Sequence, residues 1–581
     1  MCMDPIARPL PLDADGVTRR NFLGTGLGAL MGMRFVQTPM RRVTETIPIS
    51  GVTRRTSAQT WGPEAVPADQ LRALALVAMD AAHAAGADFA DVRIGVQRDL
   101  GVGRYPGGAQ VELAIGYGVR AWIDGVWSFQ HGNVLTSQDV AATARGAVAG
   151  AREYAKVDAQ LRAHRASLVT GDDRALAWAP APRVTGEWSV PVEIDPFTVP
   201  LDDHQRIIGD LTAVASPGFV YSNAQAFGYL TKWHAETRVF ASTDGSLVTQ
   251  GFMRGGIGVQ ARAKLPDEQD SVTLFLPEQD DVCAGFESVL RPNFMSYVRN
   301  LFDEVVRWRE VPVRPFTDVG RFPIVLDGRT MASLIGNTID NALDGDRVSG
   351  IEADAAGGSF LTPAEAVLDA PGPQFSPLLT MRARRTLPSP MAAQWDDDGV
   401  VPDEYPVIDG GRVVDFHTTR ETAPLLAGWY ARHGRALRSH GCAVAPTPAS
   451  LPRGTGGHLF VDPSQAPASL DALVREVSHG FLLINGGAFG SPGLTAGEMQ
   501  GRGASVILEI RRGVPVARTG LRMQFTTNAI LKKNLLALGD TTTMGCDRTT
   551  TAKGIPWQES SQLVTAPAAF CKDVDVIRWG A

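Results

Sequence analysis

Phe322-Pro323-Ile324-Val325-Leu326 is an apolar run of strand length, and Thr330-Met331-Ala332-Ser333-Leu334-Ile335-Gly336-Asn337-Thr338-Ile339-Asp340-Asn341-Ala342-Leu343 comes just after it and reads as a helix. This strand and helix open a second domain near residue 320. From residue 376 onward the chain is a succession of short strands and turns. Val407-Ile408 and Val413-Val414 flank the turn Asp409-Gly410-Gly411, residues 481–484 and 505–510 are apolar strands, and Arg511-Arg512-Gly513 turns the latter into 514–517. Residues 316–581 are therefore expected to form a β-rich C-terminal domain that opens with a single helix.

Upstream the pattern is different. Residues 68–85 carry Leu71, Leu74, Ala75, Ala78 and Met79 at helical spacing, with Gly86 ending the run. Ala90, Val92, Ile94 and Val96 then alternate with Asp91 and Arg93, as in a half-buried strand. Asp124-Gly125 splits residues 111–129 into a hairpin, and Thr136-Ser137-Gln138-Asp139 starts an Ala-rich helix reaching about residue 155. Residues 156–200 look irregular. A short helix capped by Asp202-Asp203 runs to about 214, two strands meet at Thr243-Asp244-Gly245, a Gly-rich strand covers 251–263, and residues 283–310 read as helix broken at Pro292. Residues 67–315 are thus expected to be an α+β domain with a mostly antiparallel sheet, and the fold class of the whole is α+β. Residues 1–36 contain Thr18-Arg19-Arg20-Asn21-Phe22-Leu23-Gly24 followed by a weakly apolar stretch, which looks like a twin-arginine export signal. This implies a periplasmic location, with the cytoplasm as the alternative. Residues 37–66, rich in Thr, Arg and Pro, read as a linker.

With 581 residues, 44% hydrophobic and 20% charged, the chain can build two or three domains. Its net charge of −7 and lack of a basic run point away from nucleic acid. No apolar stretch is long enough to span a bilayer as a helix. The cysteines, Cys2, Cys283, Cys442, Cys546 and Cys571, have neither zinc-ribbon nor disulfide-framework spacing, and Cys442 and Cys571 are expected to be buried small hydrophobes.

Several segments, in order, resemble the TldD/PmbA family of metallopeptidases. Leu343-Asp344-Gly345-Asp346 is similar to the family's L-E-G-D. Trp395-Asp396-Asp397-Asp398-Gly399 resembles its W-x-x-[FY]-D-D-E-G region, and Val407 to Phe416 resembles its V-L-I-D-x-G hairpin. Thr543-Met544-Gly545-Cys546 falls where the family carries G-x-C, although here Gly545 directly precedes the cysteine. The resemblance spans most of residues 67–581. It implies that active relatives hold zinc with the two imidazoles of H-E-x-x-x-H on the helix opening the second domain and with the cysteine thiolate. The metal ionises a water, and the glutamate polarises it. Two residues five apart sit about 140° apart on an ideal α-helix, so a distorted turn, such as a π bulge, is needed to converge them. Aligned on Leu343-Asp344-Gly345-Asp346, this chain has Gly336 and Asn341 at the histidine positions and Asn337 at the glutamate position. Glycine has no ligand, and a neutral amide neither binds zinc well nor takes a proton. No catalytic residue and no cofactor are expected, and Cys546 is the one retained candidate metal ligand.

Two other readings of the residues stand beside this one. Asp340 and Asp344 share a helix face and Asp346 lies close behind, a set that suits Mg²⁺, Ca²⁺ or Mn²⁺, or else a capping acidic turn. Among the histidines, His417 and His440 are candidates for lining a cleft, while His458 and His479 read as core or surface residues. Gly255-Gly256-Ile257-Gly258 and Asn485-Gly486-Gly487 lack the Lys-Ser/Thr of a phosphate loop and read as turns or bulges. The leading expectation is a non-catalytic subunit that binds peptide or an unfolded protein segment, or pairs with an active zinc peptidase subunit in proteolysis, as a hetero- or homodimer with a TldD/PmbA-family subunit. The alternatives are an active metallopeptidase with non-standard ligands and a non-enzymatic extracytoplasmic peptide-binding protein.

Overall fold

The computed structural model describes residues 40–48, 66–103, 108–166, 178–219, 224–264, 271–275, 282–290, 294–314, 320–352, 358–493, 498–519, 523–526, 530–554 and 557–578. The expected export segment, 1–36, lies outside the described residues. Among them, no helix is long and apolar enough to cross a membrane.

The N-terminal sheet has eight strands. Its path runs Arg41–Pro48, Gly108–Ile123, Phe89–Gly103, Ala224–Ser242, Leu247–Lys264 and Thr185–Ser189, with Val126–Gly132 and Ser271–Phe275 paired at its sides. All of these pairings are antiparallel except that of Thr185–Ser189. Asp124 and Gly125 take positive φ (51° and 83°), which makes the expected two-residue hairpin turn. Helices Ala68–Ala84 and Ser137–Ala166 cover one face. They bury Leu71, Ala75, Val140 and Ala144 against Val92, Ile94 and Val96. The second helix begins as expected, with the Asp139 N–H donating to Thr136 Oγ1 at 3.1 Å, but runs on to Ala166.

Two expectations need correction here. Arg41–Pro48, inside the expected linker, is an edge strand paired with Gly108–Ile123 over its full length. Its β-branched residues Val43, Thr44, Thr46 and Ile47 suit that role, and an edge strand needs no apolar alternation to pair through its backbone. Phe89–Gly103 is not half-buried either, since Asp91 and Arg93 are as inaccessible as Val92 and Ile94. The second face is covered by the C-terminal half, whose Pro448 lies close over Gly95 and Gly118, leaving no room for a Cβ.

The C-terminal half holds two sheets and a short two-stranded ribbon, Ala443–Val444 with Arg453–Gly454. One sheet of eight strands has the order His479–Gly493, Gly320–Leu326, Ala569–Arg578, Met523–Thr526, Glu498–Arg511, Val514–Thr519 and Val313–Arg314, with Leu535–Leu538 paired to Ala569–Arg578. Glu498–Arg511 pairs back to His479–Gly493, so the sheet closes on itself. The other runs Arg412–Val413, Tyr405–Asp409, Met381–Arg384, His458–Val461, Gln558–Ala566 and Gly545–Lys553. Helix Gly328–Ile335 packs against strands of both sheets, and Met331, Ala332, Leu334 and Ile335 are wholly buried. The α+β expectation, with a β-rich second half opened by one helix, matches the fold.

The two halves share an apolar core in which Trp233 and Phe286 join Leu482 and Leu508. Trp395-Asp396-Asp397-Asp398-Gly399 adds a latch. Asp396 Oδ1 accepts the main-chain N–H groups of Asp398 and Val400 at 2.9 and 2.8 Å, which fixes the loop. Asp397 receives Arg238 of the N-terminal sheet at 2.7 Å, and Asp398 receives Arg120 at 2.6 Å. Gln250 donates to the Trp395 carbonyl at 2.9 Å. Arg238 keeps Glu236 at 2.6 Å when Asp397 is removed, so the loss is that of buried charge-assisted hydrogen bonds and not of a whole ion pair. Asp397→Ala is therefore expected to lower unfolding stability by about 1.5–3 kcal/mol, read from urea denaturation. A loss below about 1 kcal/mol would mean that the latch contributes no more than an exposed surface pair.

Candidate functional site

Helix Gly328–Ile335 begins at Asp327, whose carboxylate accepts the N–H of Thr330 at 2.7 Å and that of Asn485 at 2.8 Å. Asn485 and Gly486 take positive φ (66° and 73°) at a register shift in their strand, the bulge expected from the sequence, and that bulge delivers the capping contact. Gly328 sits so close to the main chain of Thr543, Gly545 and Ala566 that no side chain fits there.

At Gly336 the α-helix gives way to a π turn, Gly336–Asp340. Such a turn brings residues five apart together, here Gly336 and Asn341, the two positions where the family resemblance places histidines. The distortion needed to converge two imidazoles is present although neither imidazole is. Asn341 Nδ2 donates to the Gly336 carbonyl at 3.3 Å. Gln562 Nε2 lies 3.0 Å from the same carbonyl and 3.1 Å from Asn341 Oδ1. Its own carbonyl accepts Thr455 Oγ1–H at 3.1 Å. Asn337 turns back to donate to the Ser333 carbonyl at 2.8 Å. A Cβ at Gly336 would lie 2.7 Å from Thr549 Oγ1 and 2.8 Å from its Cγ2. Amides and hydroxyls thus fill the space that ligands would need.

Cys546 does not join them. In strand Gly545–Lys553, Asp547 meets Arg329 Nε of the helix at 3.1 Å and Thr549 abuts Gly336. Alternation along the strand sets Cys546 on the opposite face. There it pairs across with Thr565, whose hydroxyl contacts His458 Nε2 at 2.9 Å. Counted from Gly545, the third position of a G-x-C motif is Asp547, so the one-residue shift noted in the sequence turns the thiol away. Among the described residues, no group of three or more His, Cys, Asp or Glu is placed to hold a metal ion. The residues present do not fit zinc.

The acidic turn after the helix also differs from a metal site. Lys553 Nζ lies 2.7 Å from Asp344 and 2.9 Å from Asp346, and also donates to the Gly454 carbonyl. A buried ammonium therefore stands where a divalent cation would. Burial, only partly offset by Lys553, pushes Asp344 up to about 6. Asp340 is engaged separately by His417 Nε2 at 2.9 Å.

That contact begins a relay. His417 Nδ1 reaches Tyr405 OH at 2.6 Å, Tyr405 OH reaches Cys442 Sγ at 3.1 Å, and His440 stacks on Tyr405 with ring centroids 3.8 Å apart. Asp403 and Asp415 hold His440 at 3.0 and 3.2 Å. His417 is 0% and Tyr405 4% exposed, so the relay is closed to solvent. His417 and His440, considered as cleft-lining residues, are instead interior pins, because carboxylates on neighbouring segments draw them inward. Cys442 is buried as expected but bonded to Tyr405, whereas Cys571 is a plain buried thiol, pushed up to about 12 by burial. His458 contacts Ser389 and Thr565, and His479 lies 3.4 Å from Glu509. Gln562, Tyr405 and Lys553 escaped the sequence reading, since each reaches its partners only across long separations.

Burial opposes protonation of His417, but Asp340 and Cys442 outweigh it and push the ring up to about 10. The folded value exceeds the ordinary 6.5, so the stabilisation is complete below pH 6.5 and lost as pH rises to 10. His458 is the reverse. Burial and Arg384 push it down to about 3, so its contribution holds above pH 6.5 and is lost as pH falls toward 3. Thermal melts are expected to show the stability gap between wild type and His417→Gln narrowing from pH 6 to pH 10, and that for His458→Gln narrowing from pH 7 to pH 4. A gap independent of pH would contradict these protonation states.

Between the halves lies a cleft of about 290 Å³, lined by Arg238 and Arg254 on one side and Arg385, Trp395 and Asp397 on the other.

Residues 319–577 match the PmbA/TldA metallopeptidase C-terminal domain. No curated protein matches the chain. Solved structures share its fold. TldE from Thermococcus kodakarensis superposes with a TM-score of 0.60 at 14% identity, covering 87% of this chain and 99% of that one. A proposed modulator of DNA gyrase from Thermotoga maritima gives 0.60 at 12%, covering 87% and 100%, and another from Bacteroides thetaiotaomicron gives 0.58 at 15%, covering 88% and 99%. The domain match thus places residues 319–577 with the C-terminal domain of the PmbA/TldA metallopeptidases, and the solved structures show the same fold over most of the chain.

Proposed function

We propose that this chain is a non-catalytic member of its family that binds peptide or an unfolded protein segment and pairs with another TldD/PmbA-family subunit, either zinc-bearing or a second copy. One observation carries the reading: the π turn holds Gly336, Asn337 and Asn341, and Gln562, Thr455 and Thr549 close over it. Zinc hydrolysis needs anionic or imidazole ligands, an open coordination position and a nearby base. A neutral amide network supplies none of these.

Metal analysis and peptide cleavage on the purified full chain test the proposal. Substoichiometric zinc and no chelator-sensitive cleavage are expected from the chain alone, with cleavage appearing when a family subunit carrying H-E-x-x-x-H is added. The triple variant Gly336→His, Asn337→Glu, Asn341→His is expected to remain zinc-poor, because Thr549 fills the space and Arg329 holds Asp547. Stoichiometric metal with cleavage by the chain alone would make it a peptidase with unusual ligands. Peptide affinity without turnover in any partner's presence would make it a binding protein only.

Export through the twin-arginine pair completes the proposal. Arg19→Lys with Arg20→Lys is expected to retain the protein in the cytoplasmic fraction, and unchanged fractionation would remove the export reading.

A further inference from the structure

The cleft between the halves is lined by Lys232, Arg238, Arg254, Arg385 and Arg548 against the carboxylates Asp99, Glu236, Asp397 and Glu559. Glu236 and Asp397 are both taken by Arg238, at 2.6 and 2.7 Å, and Asp99 is taken by His234 at 2.9 Å. Arg254 and Arg385 line the same cleft from opposite halves. Among the described residues, the Arg254 guanidinium makes no hydrogen bond or ion pair, and its Nε is shut off from solvent with no acceptor. It rests 5.3 Å from the Phe252 ring centre. Arg385 donates only to main-chain carbonyls, those of Met391 at 3.2 Å, Gly441 at 3.3 Å and Ala443 at 3.5 Å. The two cations are near enough to repel one another. Neither guanidinium is bonded to a carboxylate of the lining, although Glu236 and Asp397 lie close enough to Arg254, and Asp397 to Arg385, to attract them; an anion that both cations can approach would be held by planar N–H pairs that match a carboxylate in shape and charge.

The remaining wall supplies the size and polarity of the ligand. Phe252, Met391 and Trp395 offer an apolar side beside the two cations. A volume of about 290 Å³ lies at the low end of ligand pockets, enough for one end of a chain and too small for a folded partner. We propose that this cleft is a carboxylate site that takes the C-terminal residue of a peptide, with Arg254 and Arg385 holding the carboxylate and the Phe252–Trp395 side receiving the terminal side chain. The inference rests on the peptide-binding reading above and adds to it which end of the peptide enters.

Calorimetric titration of the full chain with an apolar tripeptide, with its C-terminal amide and with inorganic phosphate tests this, on wild type, Arg254→Gln and Arg254→Lys. Among the described residues Arg254 bonds to nothing in the fold, so its replacement leaves the architecture in place, and coincident melting curves check that. The acid is expected to bind at least about ten-fold more tightly than the amide. Arg254→Gln is expected to abolish that preference and Arg254→Lys to keep part of it. Equal binding of acid and amide by wild type would overturn the carboxylate site while leaving peptide binding intact. An acid preference unchanged in Arg254→Gln would also overturn it, by placing recognition elsewhere. Phosphate binding that is lost in Arg254→Gln, with neither peptide bound, would replace the peptide end with a free anion. No binding of any of the three would remove both this site and the peptide reading.

Discussion

The orientation of the two halves rests on carboxylates that have no water to turn to. Asp397 and Asp398 sit under the N-terminal sheet and are held by Arg238 and Arg120. The shared apolar core supplies most of the attraction, since burial of nonpolar surface is strong but indifferent to angle. The ion pairs add direction. A shift of either half by one strand position would leave at least one buried charge alone, a cost of several kcal/mol. The cleft inherits its shape from this arrangement, because Arg238 and Asp397 belong at once to the latch and to the cleft wall. Gly95 and Gly118 serve the same geometry by letting the segment around Pro448 come close to the sheet.

Much of the architecture was legible in the chain because it is written in local patterns. The period-2 run 89–96, the Asp124-Gly125 turn, the Thr136 cap and the helix before Asp344 are each set by neighbouring residues. What local pattern cannot convey is what lies on the far side of a sheet. Asp91 and Arg93 read as a solvent face, yet a second domain covers them. The same limit applies to the site. The absence of ligands at Gly336 and Asn341 was plain from residue type alone, but the residues that replace them come from Gln562 and Thr455, more than a hundred positions downstream. Lys553 is the clearest case. An acidic triplet invites a divalent cation on paper, and a lysine over two hundred residues away takes the place instead. His417, a candidate for lining a cleft, is instead held in the interior by Asp340, a partner 77 positions away that local pattern does not reveal.

The π turn keeps its form with a glycine and an amide where the family resemblance places imidazoles. A π turn breaks the regular i→i−4 ladder, and a carbonyl freed in a buried helix must find a donor. The Gly336 carbonyl finds two, Asn341 and Gln562, and so the turn is satisfied by protein groups alone. A catalytic metal with an open position is added to a fold that already stands, unlike a structural zinc, on which folding itself depends. The helix here has all that its stability requires: an Asp327 cap, packing against both sheets, and Lys553 to neutralise the acidic end. Two imidazoles and a carboxylate can therefore be absent from Gly336, Asn341 and Asn337 without disturbing the helix, the sheets or the cleft between the domains. The shape of the helix and of the sheets around it is thus set by caps, packing and ion pairs, none of which involves the three positions where the family resemblance places imidazoles and a carboxylate.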